Sequence, residues 1–185
     1  RIFFIPSGSM ENTLQLDDKI GVNVAHSWYG DLDRGDIAVF EDTQGWMPDL
    51  NSGTNPVRQG LEFVGLAPDT TTQYVIKRVI GVGGDKVECC DAEGRLMVNG
   101  EPIDETYLDE GMAPSEMEFS VTVPEGHYWV MGDNRSNSAD SRYHEDTDPF
   151  VSEDDLVGTV FLINWPFKHF GWVSNPEDVF AGVPE

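Results

Sequence analysis

The stretch QYVIKRVIGV (residues 73–82) decides the fold class, because β-branched residues fill it and a glycine-rich turn follows it. Six further segments have the same character and are bounded by Gly, Pro, Asp or Asn. The sequence therefore predicts an all-β body. The six segments are GDIAVF (35–40), DKVECC (85–90), RLMVNG (95–100), FSVTV (119–123), HYWVMGD (127–133) and VGTVFLINW (157–165).

The connections between these segments are of two kinds. CCDAEGRLMVNGEPI (89–103) is typical of a hairpin, with a first turn at Asp91–Gly94 and a second at Asn99–Gly100. Residues 41–72 lack strand character apart from one short apolar patch, and PDLNSGTNP lies in their middle. We expect a long mobile excursion there.

Composition limits the classes of function. The 185 residues suit one folded body, and 34 acidic against 11 basic side chains give a net charge of -23. Such a surface repels phosphate backbones and anionic headgroups, which argues against nucleic-acid binding and polybasic membrane docking. No apolar run reaches the roughly 18 residues of a membrane span. Because the chain begins with an apolar run directly after Arg1, we expect an N-terminal anchor outside it.

The two cysteines, Cys89 and Cys90, are adjacent. Neighbouring Cα atoms lie about 3.8 Å apart, below the roughly 4.4 to 6.8 Å usual for a disulfide. Two unbridged thiols are therefore the favoured interpretation, and a strained vicinal disulfide is the alternative. A metal site is disfavoured because no second Cys or His cluster supplies further ligands.

Two serines flank one glycine in IPSGSMENTL (residues 5–14). A serine hydroxyl becomes a good nucleophile when a neighbouring base takes its proton. Ser9 lies outside a G-x-S-x-G elbow, and the histidines stand in no triad signature, which disfavours a Ser-His pair. The histidines are His26, His127, His144 and His169.

Lysine is the other candidate base, and Lys77 lies within the apolar segment VIKRVI (75–80). Regular strand alternation places it on the face of Val75 and Val79, with Arg78 on the opposite face. Alternation alone does not decide which cation is buried. Burial can lower a lysine pKa by about 3 to 5 from about 10.4, whereas arginine stays charged. A buried, neutral Lys77 could act as a general base.

Four segments in this order closely resemble conserved segments of bacterial type I signal peptidases, which are membrane-anchored Ser-Lys endopeptidases. They are PSGSMENTL (6–14), RGDIAVF (34–40), YVIKRVIGVGGDKV (74–87) and MGDNRSNSADSR (131–142). The resemblance implies that Ser9 is the nucleophile and Lys77 the general base. It also implies that the Ser7 hydroxyl and the Ser9 backbone N–H form the oxyanion hole.

The last of these segments supplies supporting residues by the same resemblance. Ser138 matches a serine that hydrogen-bonds and orients the lysine amine, and a neutral hydroxyl does so without adding charge. Asp140 and Arg142 match a supporting ion pair. Asn12 departs from the family pattern, because proline is frequent there, and we expect it to alter loop stiffness and not chemistry.

The fold implied by the resemblance is an antiparallel β-sheet catalytic core of the signal peptidase/LexA type with a smaller inserted β lobe. We expect residues 1–87 to form the first part of the core, 88–125 the lobe, and 126–185 the rest of the core with a C-terminal tail. The implied mechanism needs no metal and no organic cofactor.

The implied substrates are secretory preproteins with small residues at the -3 and -1 positions, which shallow apolar pockets would select. An extended substrate would bind along a strand edge near Lys77. Family positions give the candidate pocket walls Ile5, Pro6, Met10, Leu14, Val75 and Ile76. The implied location is the extracytoplasmic side of the cell membrane. Attachment would rest on the expected anchor and on an apolar patch of Phe3, Phe4, Trp165, Phe167, Phe170 and Trp172.

Two other classes stay open at this point. A LexA-type self-cleaving regulator shares the Ser-Lys pair, but it should carry a DNA-binding domain and a cleavable Ala-Gly linker, and neither is visible in the sequence. A non-catalytic peptide-binding β module would make Ser9 and Lys77 incidental.

Overall fold

The computed structural model describes residues 1–25, 32–47, 73–145 and 147–184. These residues form twelve strands, all paired antiparallel. The strands are Ile2–Phe4 (β1), Lys19–Asn23 (β2), Ile37–Glu41 (β3), Tyr74–Gly81 (β4), Lys86–Cys89 (β5), Leu96–Val98 (β6), Glu101–Pro102 (β7), Phe119–Thr122 (β8), His127–Met131 (β9), Val151–Ser152 (β10), Leu156–Trp165 (β11) and Gly171–Trp172 (β12). Helical structure in the same residues is limited to a single α-helical turn, Glu177–Phe180, and three 3-10 turns, Ser141–Tyr143, Glu153–Asp155 and Phe167–His169.

The strands form two sheets. The larger sheet has the order β1-β2-β11-β3-β4-β9-β10, with β12 paired to β11, and the smaller has the order β7-β6-β5-β8. The smaller sheet follows β4 in sequence and ends before β9, so residues 86–122 leave the large sheet between two of its neighbouring strands. The all-β fold class is thus confirmed. The exact boundaries at 88 and 125 stay a prediction.

The predicted hairpin of residues 89–103 is present. Asn99 and Gly100 both have positive φ, 53° and 85°, as a tight turn between β6 and β7 requires. At the first turn the Asp91 carboxylate accepts hydrogen bonds from the backbone N–H groups of Glu93 and Arg95. Turn chemistry therefore fixes this part of the small sheet.

Strand β4 lies inside the large sheet between β3 and β9, and this position explains its composition. Val75, Lys77, Val79 and Ile80 are all buried, so the strand is covered on both faces from its middle onward. Strand alternation left open which of its two cations is buried. Both are, with Lys77 4% and Arg78 2% exposed.

A disulfide joins Cys89 to Cys90, so the favoured interpretation of two unbridged thiols is wrong. The peptide bond between the two residues is cis, whereas the spacing of about 3.8 Å that disfavoured a disulfide holds for a trans bond. In a cis peptide neighbouring Cα atoms are closer, and here they are 3.0 Å apart.

Most of the excursion expected at 41–72, from residue 48 onward, lies outside the described residues. In the described ranges no helix is long and apolar enough to cross a membrane.

Candidate active site

The turn after β1 and the middle of β4 bring Ser9 and Lys77 together. A hydrogen bond of 2.8 Å joins Lys77 Nζ to Ser9 Oγ, and both residues are buried. The Ser9 carbonyl accepts a hydrogen bond of 3.0 Å from the Asn134 backbone N–H, which ties the serine turn to the loop after β9. Ser9 and Lys77 are therefore in contact although they are distant in sequence, and their separation is short enough for direct proton transfer.

Burial is the main influence on the Lys77 amine. It lowers the pKa of Lys77 from 10.5 to about 8, while the charges of Asp140 and Asp133 act in the opposite direction and Arg142 lowers the pKa further. Within the described ranges Lys77 forms no direct ion pair, whereas its neighbour Arg78 does. A substantial neutral fraction of Lys77 at mildly alkaline pH is the consequence, as a general base needs.

The acids nearest to Lys77 are each paired with an arginine. Arg78 binds Asp133 through Nε–Oδ1 at 2.8 Å and Nη2–Oδ2 at 2.6 Å. Arg142 binds Asp140 through Nε–Oδ1 and Nη2–Oδ2, both at 2.9 Å. Burial opposes the charge of Asp140, but the hydrogen bonds and charge of Arg142 outweigh it and lower the pKa of Asp140. Each carboxylate is therefore bound by an arginine, and among the described residues neither forms an ion pair with Lys77.

Ser138 lies at the site but does not make the contact expected of it. It is buried, and among the described residues its Oγ makes no hydrogen bond of normal geometry, to Lys77 or to any other group. Its side chain packs so closely against Gly132 that a Cβ on that glycine would clash with Ser138 Oγ. The predicted hydrogen bond to the lysine amine is therefore not formed in this structure.

A cleft of about 160 Å³ opens beside Ser9 and Lys77. Leu14, a candidate wall, is fully buried and does not line the cleft, because its side chain packs into the core cluster that includes Ile20 and Val22. Met47 and Tyr74 line the cleft although no sequence motif marked them as walls. The full lining is Phe3, Phe4, Ile5, Pro6, Ser7, Ser9, Met10, Met47, Tyr74, Val75, Ile76 and Lys77.

One edge of β4 is available next to this cleft. Residues Tyr74 to Lys77 pair with β3, but pairing with β9 begins only at Arg78. Within the described part of the chain the other edge of this half-strand is unpaired. An extended peptide could add there as a further antiparallel or parallel strand.

A larger cavity of about 990 Å³ lies elsewhere, at the junction of the two sheets. It is lined by the Arg34–Asp85 ion pair and by residues of the C-terminal tail, and it contains neither the serines nor Lys77. Of these two cavities only the smaller cleft places a serine hydroxyl beside a lysine amine, so the smaller cleft is the candidate active site.

The described histidines are engaged away from Ser9. His127 Nδ1 contacts the Glu125 carbonyl, His144 stacks on Trp46 with ring centroids 4.5 Å apart, and His169 Nδ1 contacts Asp18 Oδ1 at 2.9 Å. His26 lies outside the described residues. The geometry therefore offers Lys77, and no described histidine, as the base for Ser9.

The predicted apolar patch is largely exposed. Phe3 is the exception, because it is half-buried and its ring contacts Tyr74 edge-on at 5.3 Å, inside the cleft. The exposed members lie on β1, on β11 and β12, and in the 3-10 turn between β11 and β12 or just after it. In the large sheet one strand, β2, separates β1 from β11, and β12 pairs with β11. The exposed members are Phe4, Trp165, Phe167, Phe170 and Trp172.

Known proteins are similar to this chain in sequence. The family model described as "Signal peptidase, peptidase S26" matches residues 1–165. Signal peptidase I of Mycobacterium tuberculosis (strain ATCC 25618 / H37Rv) is 36% identical over 209 residues, covering 96% of this chain and 69% of that protein. Signal peptidase I U of Bacillus subtilis is 34% identical over 172 residues, covering 89% and 75%. A crystal structure of a signal peptidase I from Enterococcus faecalis aligns with a TM-score of 0.44 at 28% identity, covering 70% of this chain and 96% of that one.

Proposed function

The chain belongs to the signal peptidase family, peptidase S26, and is a serine peptidase; from this membership and the geometry of the cleft we propose that it removes signal peptides from secretory preproteins with Ser9 as nucleophile and Lys77 as general base. The observation that carries the residue assignment is the 2.8 Å hydrogen bond between a buried lysine and a buried serine. In acyl transfer, a base at this distance takes the proton of the serine hydroxyl and so makes its oxygen a good nucleophile.

The proposed reaction proceeds through an acyl-enzyme. Neutral Lys77 takes the Ser9 proton while Oγ forms a bond to the scissile carbonyl carbon. The Ser7 hydroxyl and the Ser9 backbone N–H donate to the resulting oxyanion. The carbon–nitrogen bond then breaks, and Lys77 gives its proton to the leaving amine. Lys77 next takes a proton from water, the hydroxide attacks the ester, and Ser9 Oγ leaves with the returned proton.

The proposed substrate segment is extended and has small side chains at the -3 and -1 positions. Main-chain hydrogen bonds to the free edge of β4 would hold it without reading most side chains. A cleft of about 160 Å³ walled by Ile5, Pro6, Met10, Val75 and Ile76 is too small for a long side chain in addition to the peptide backbone. The cleft size therefore favours cutting after small residues.

We further propose that the enzyme works at the extracytoplasmic surface of the cell membrane. Phe4 belongs both to the exposed aromatic patch and to the lining of the cleft, so a membrane seated on the patch would bring preprotein segments close to Ser9. Trp and Phe side chains suit the headgroup region of a bilayer, and they need no attraction between the protein and anionic lipids. The N-terminal anchor stays a prediction from the sequence.

Peptide cleavage tests the proposal. The substrate is a preprotein-derived peptide with Ala-x-Ala before the cut, assayed across pH in matched detergent. Wild type should cleave it, and Ser9→Ala and Lys77→Met should reduce turnover to background. Ser120→Ala and Lys86→Ala remove an exposed serine and an exposed lysine on the small sheet, and they should cleave at the wild-type rate. Turnover surviving in Ser9→Ala or Lys77→Met would exclude the assignment of that residue, and peptide binding without turnover by wild type would indicate a non-catalytic module.

A further inference from the structure

One residue of the connection between β7 and β8 contacts both the strand that carries Lys77 and the turn that carries Ser9. Tyr107 lies after β7, and its ring is 4.0 Å from the Arg78 guanidinium carbon, measured to the ring centroid. Arg78 follows Lys77 directly on β4. The Tyr107 carbonyl also accepts a hydrogen bond of 2.7 Å from Asn12 Nδ2, in the turn that carries Ser9.

We propose that Tyr107 is a positioning residue for peptide cleavage, which holds Ser9 in place through Asn12 and keeps the surroundings of Lys77 dry by covering the Arg78–Asp133 pair. This inference rests on the proposed function of the cleft. It assigns a role in catalysis to residues 86–122, which contain neither of the proposed reacting groups.

Tyr107 is itself firmly held. Its hydroxyl donates to Glu105 Oε1 at 2.6 Å, and Glu105 forms an ion pair with Arg135 in which each side chain is only 1% exposed. Arg135 continues to the site, because its Nε donates to the Gly132 carbonyl at 2.9 Å. A buried ion pair of this kind holds its geometry, since breaking it strands a charge away from water.

The Tyr107 ring affects Lys77 because it covers Arg78, which neutralises Asp133. Arg78 binds Asp133, and the charge of Asp133 acts on the Lys77 amine together with Asp140 and Arg142. If the tyrosine ring is removed, water reaches the Arg78–Asp133 pair and the amine is less completely desolvated. Both changes favour the protonated lysine: a looser pair leaves more of the Asp133 charge uncompensated, and hydration stabilises the ammonium.

Asn12 links the same residue to the nucleophile. Its φ is 86°, a value that proline cannot adopt and that asparagine tolerates, so the chain here departs from a proline-containing turn in shape as well as in stiffness. The side chain of Asn12 then reaches Tyr107. Replacement by glycine keeps the positive φ and removes only the link, which makes Asn12→Gly a selective probe.

The experiment measures kcat, KM and the pH profile of kcat/KM for the same Ala-x-Ala peptide. Tyr107→Leu keeps apolar packing but removes the ring face and the hydroxyl. We expect its acid limb, near pH 8 in wild type, to move up by about one pH unit, so that kcat/KM at pH 7 falls by about tenfold. Tyr107→Phe retains the ring and should keep the wild-type limb. Asn12→Gly should lower kcat with little change in KM or in the limb.

Phe119→Leu is the matched control. The Phe119 ring packs on Trp129 with ring centroids 5.1 Å apart, in the core cluster to which both sheets contribute. Shortening this side chain therefore destabilises the core without changing a residue that contacts Arg78 or Asn12. It should lower the unfolding midpoint and leave the acid limb in place. An unshifted limb in a folded Tyr107→Leu, or an equal shift in Phe119→Leu, overturns the proposal. Absence of cleavage by wild type would instead overturn the proposed function.

Discussion

Gly132 is the residue where a single methyl group should do the most damage to the site. It follows β9, donates its N–H to Asp140 Oδ2 at 3.0 Å and accepts from Arg135 Nε at 2.9 Å. Its φ lies outside the left-handed region, so the backbone alone would accept alanine. The neighbours would not, because a Cβ at this position would lie 2.6 Å from Ser138 Cβ and closer still to the Ser9 carbonyl oxygen.

The size of the effect follows from these contacts. Favourable carbon–carbon contact needs about 3.5–4.0 Å, so the groups must separate by about 1 Å. The Ser9 oxygen belongs to the backbone and cannot rotate away, and the displacement is therefore passed to the nucleophile. A misplacement of about 1 Å can cost about 100-fold in rate, and overpacking of this kind costs about 1–3 kcal/mol of stability. We expect Gly132→Ala to lose both cleavage rate and folding stability by about these amounts.

The assay is peptide cleavage at a temperature where urea unfolding shows the variant to be fully folded. Gly182→Ala is the control, because a Cβ there meets nothing within 4 Å and its φ also lies outside the left-handed region. It should match wild type in rate and in unfolding midpoint. A Gly132→Ala enzyme with kcat/KM within about threefold of wild type would refute the idea that Gly132 sets the position of Ser9.

Three further outcomes can be measured. Because burial depresses the Lys77 pKa from 10.5 to about 8, Lys77→Met should raise the free energy of unfolding by about 3 kcal/mol at pH 7. This gain should shrink as the pH rises from 8 to 10.5, and urea titrations showing no gain at pH 7 would contradict the reasoning. Met47 lines the cleft, and its backbone N–H donates to the Asp42 carboxylate at 2.9 Å. Met47→Ala should therefore raise kcat/KM for peptides with leucine before the cut relative to kcat/KM for peptides with alanine there. An unchanged ratio of these two values would count against Met47 as a wall. With a net charge of -23, the melting temperature should rise between about 0.1 and 1 M NaCl, where the Debye length falls from about 10 to 3 Å; a flat response would show that surface repulsion does not limit stability.

The sequence predicted the central strands better than the edges. QYVIKRVIGV and VGTVFLINW correspond to β4 and β11, which are rich in β-branched residues and have strands paired on both edges. The strands Lys19–Asn23, Val151–Ser152 and Gly171–Trp172 were not predicted. They are short or contain glycine or asparagine, so pairing with an existing strand and not local propensity determines them.

At the site, the sequence motifs predicted some contacts and missed those that depend on how distant segments pack. Motif order was enough to predict that Ser9 and Lys77 come together, and the structure brings them to 2.8 Å. The contributions of Met47 and Tyr107 were not predictable, because each depends on a segment folding back over a distant strand. Ser138 was expected to hydrogen-bond Lys77, but its side chain packs against Gly132 and its Oγ has no hydrogen-bond partner among the described residues.

The acidity of the chain makes the local charge balance around Lys77 significant. A net charge of -23 favours protonated lysine everywhere on the surface, which is the wrong state for a base. At the site, Asp133 and Asp140 are each bound bidentate by an arginine; their charges still raise the pKa of Lys77, and the charge of Arg142 opposes them. Desolvation then dominates the Lys77 pKa. Arginine suits this task because it stays charged when buried and binds a carboxylate through two parallel hydrogen bonds, whereas a lysine in its place would present a single point charge whose pKa is lowered by the same desolvation.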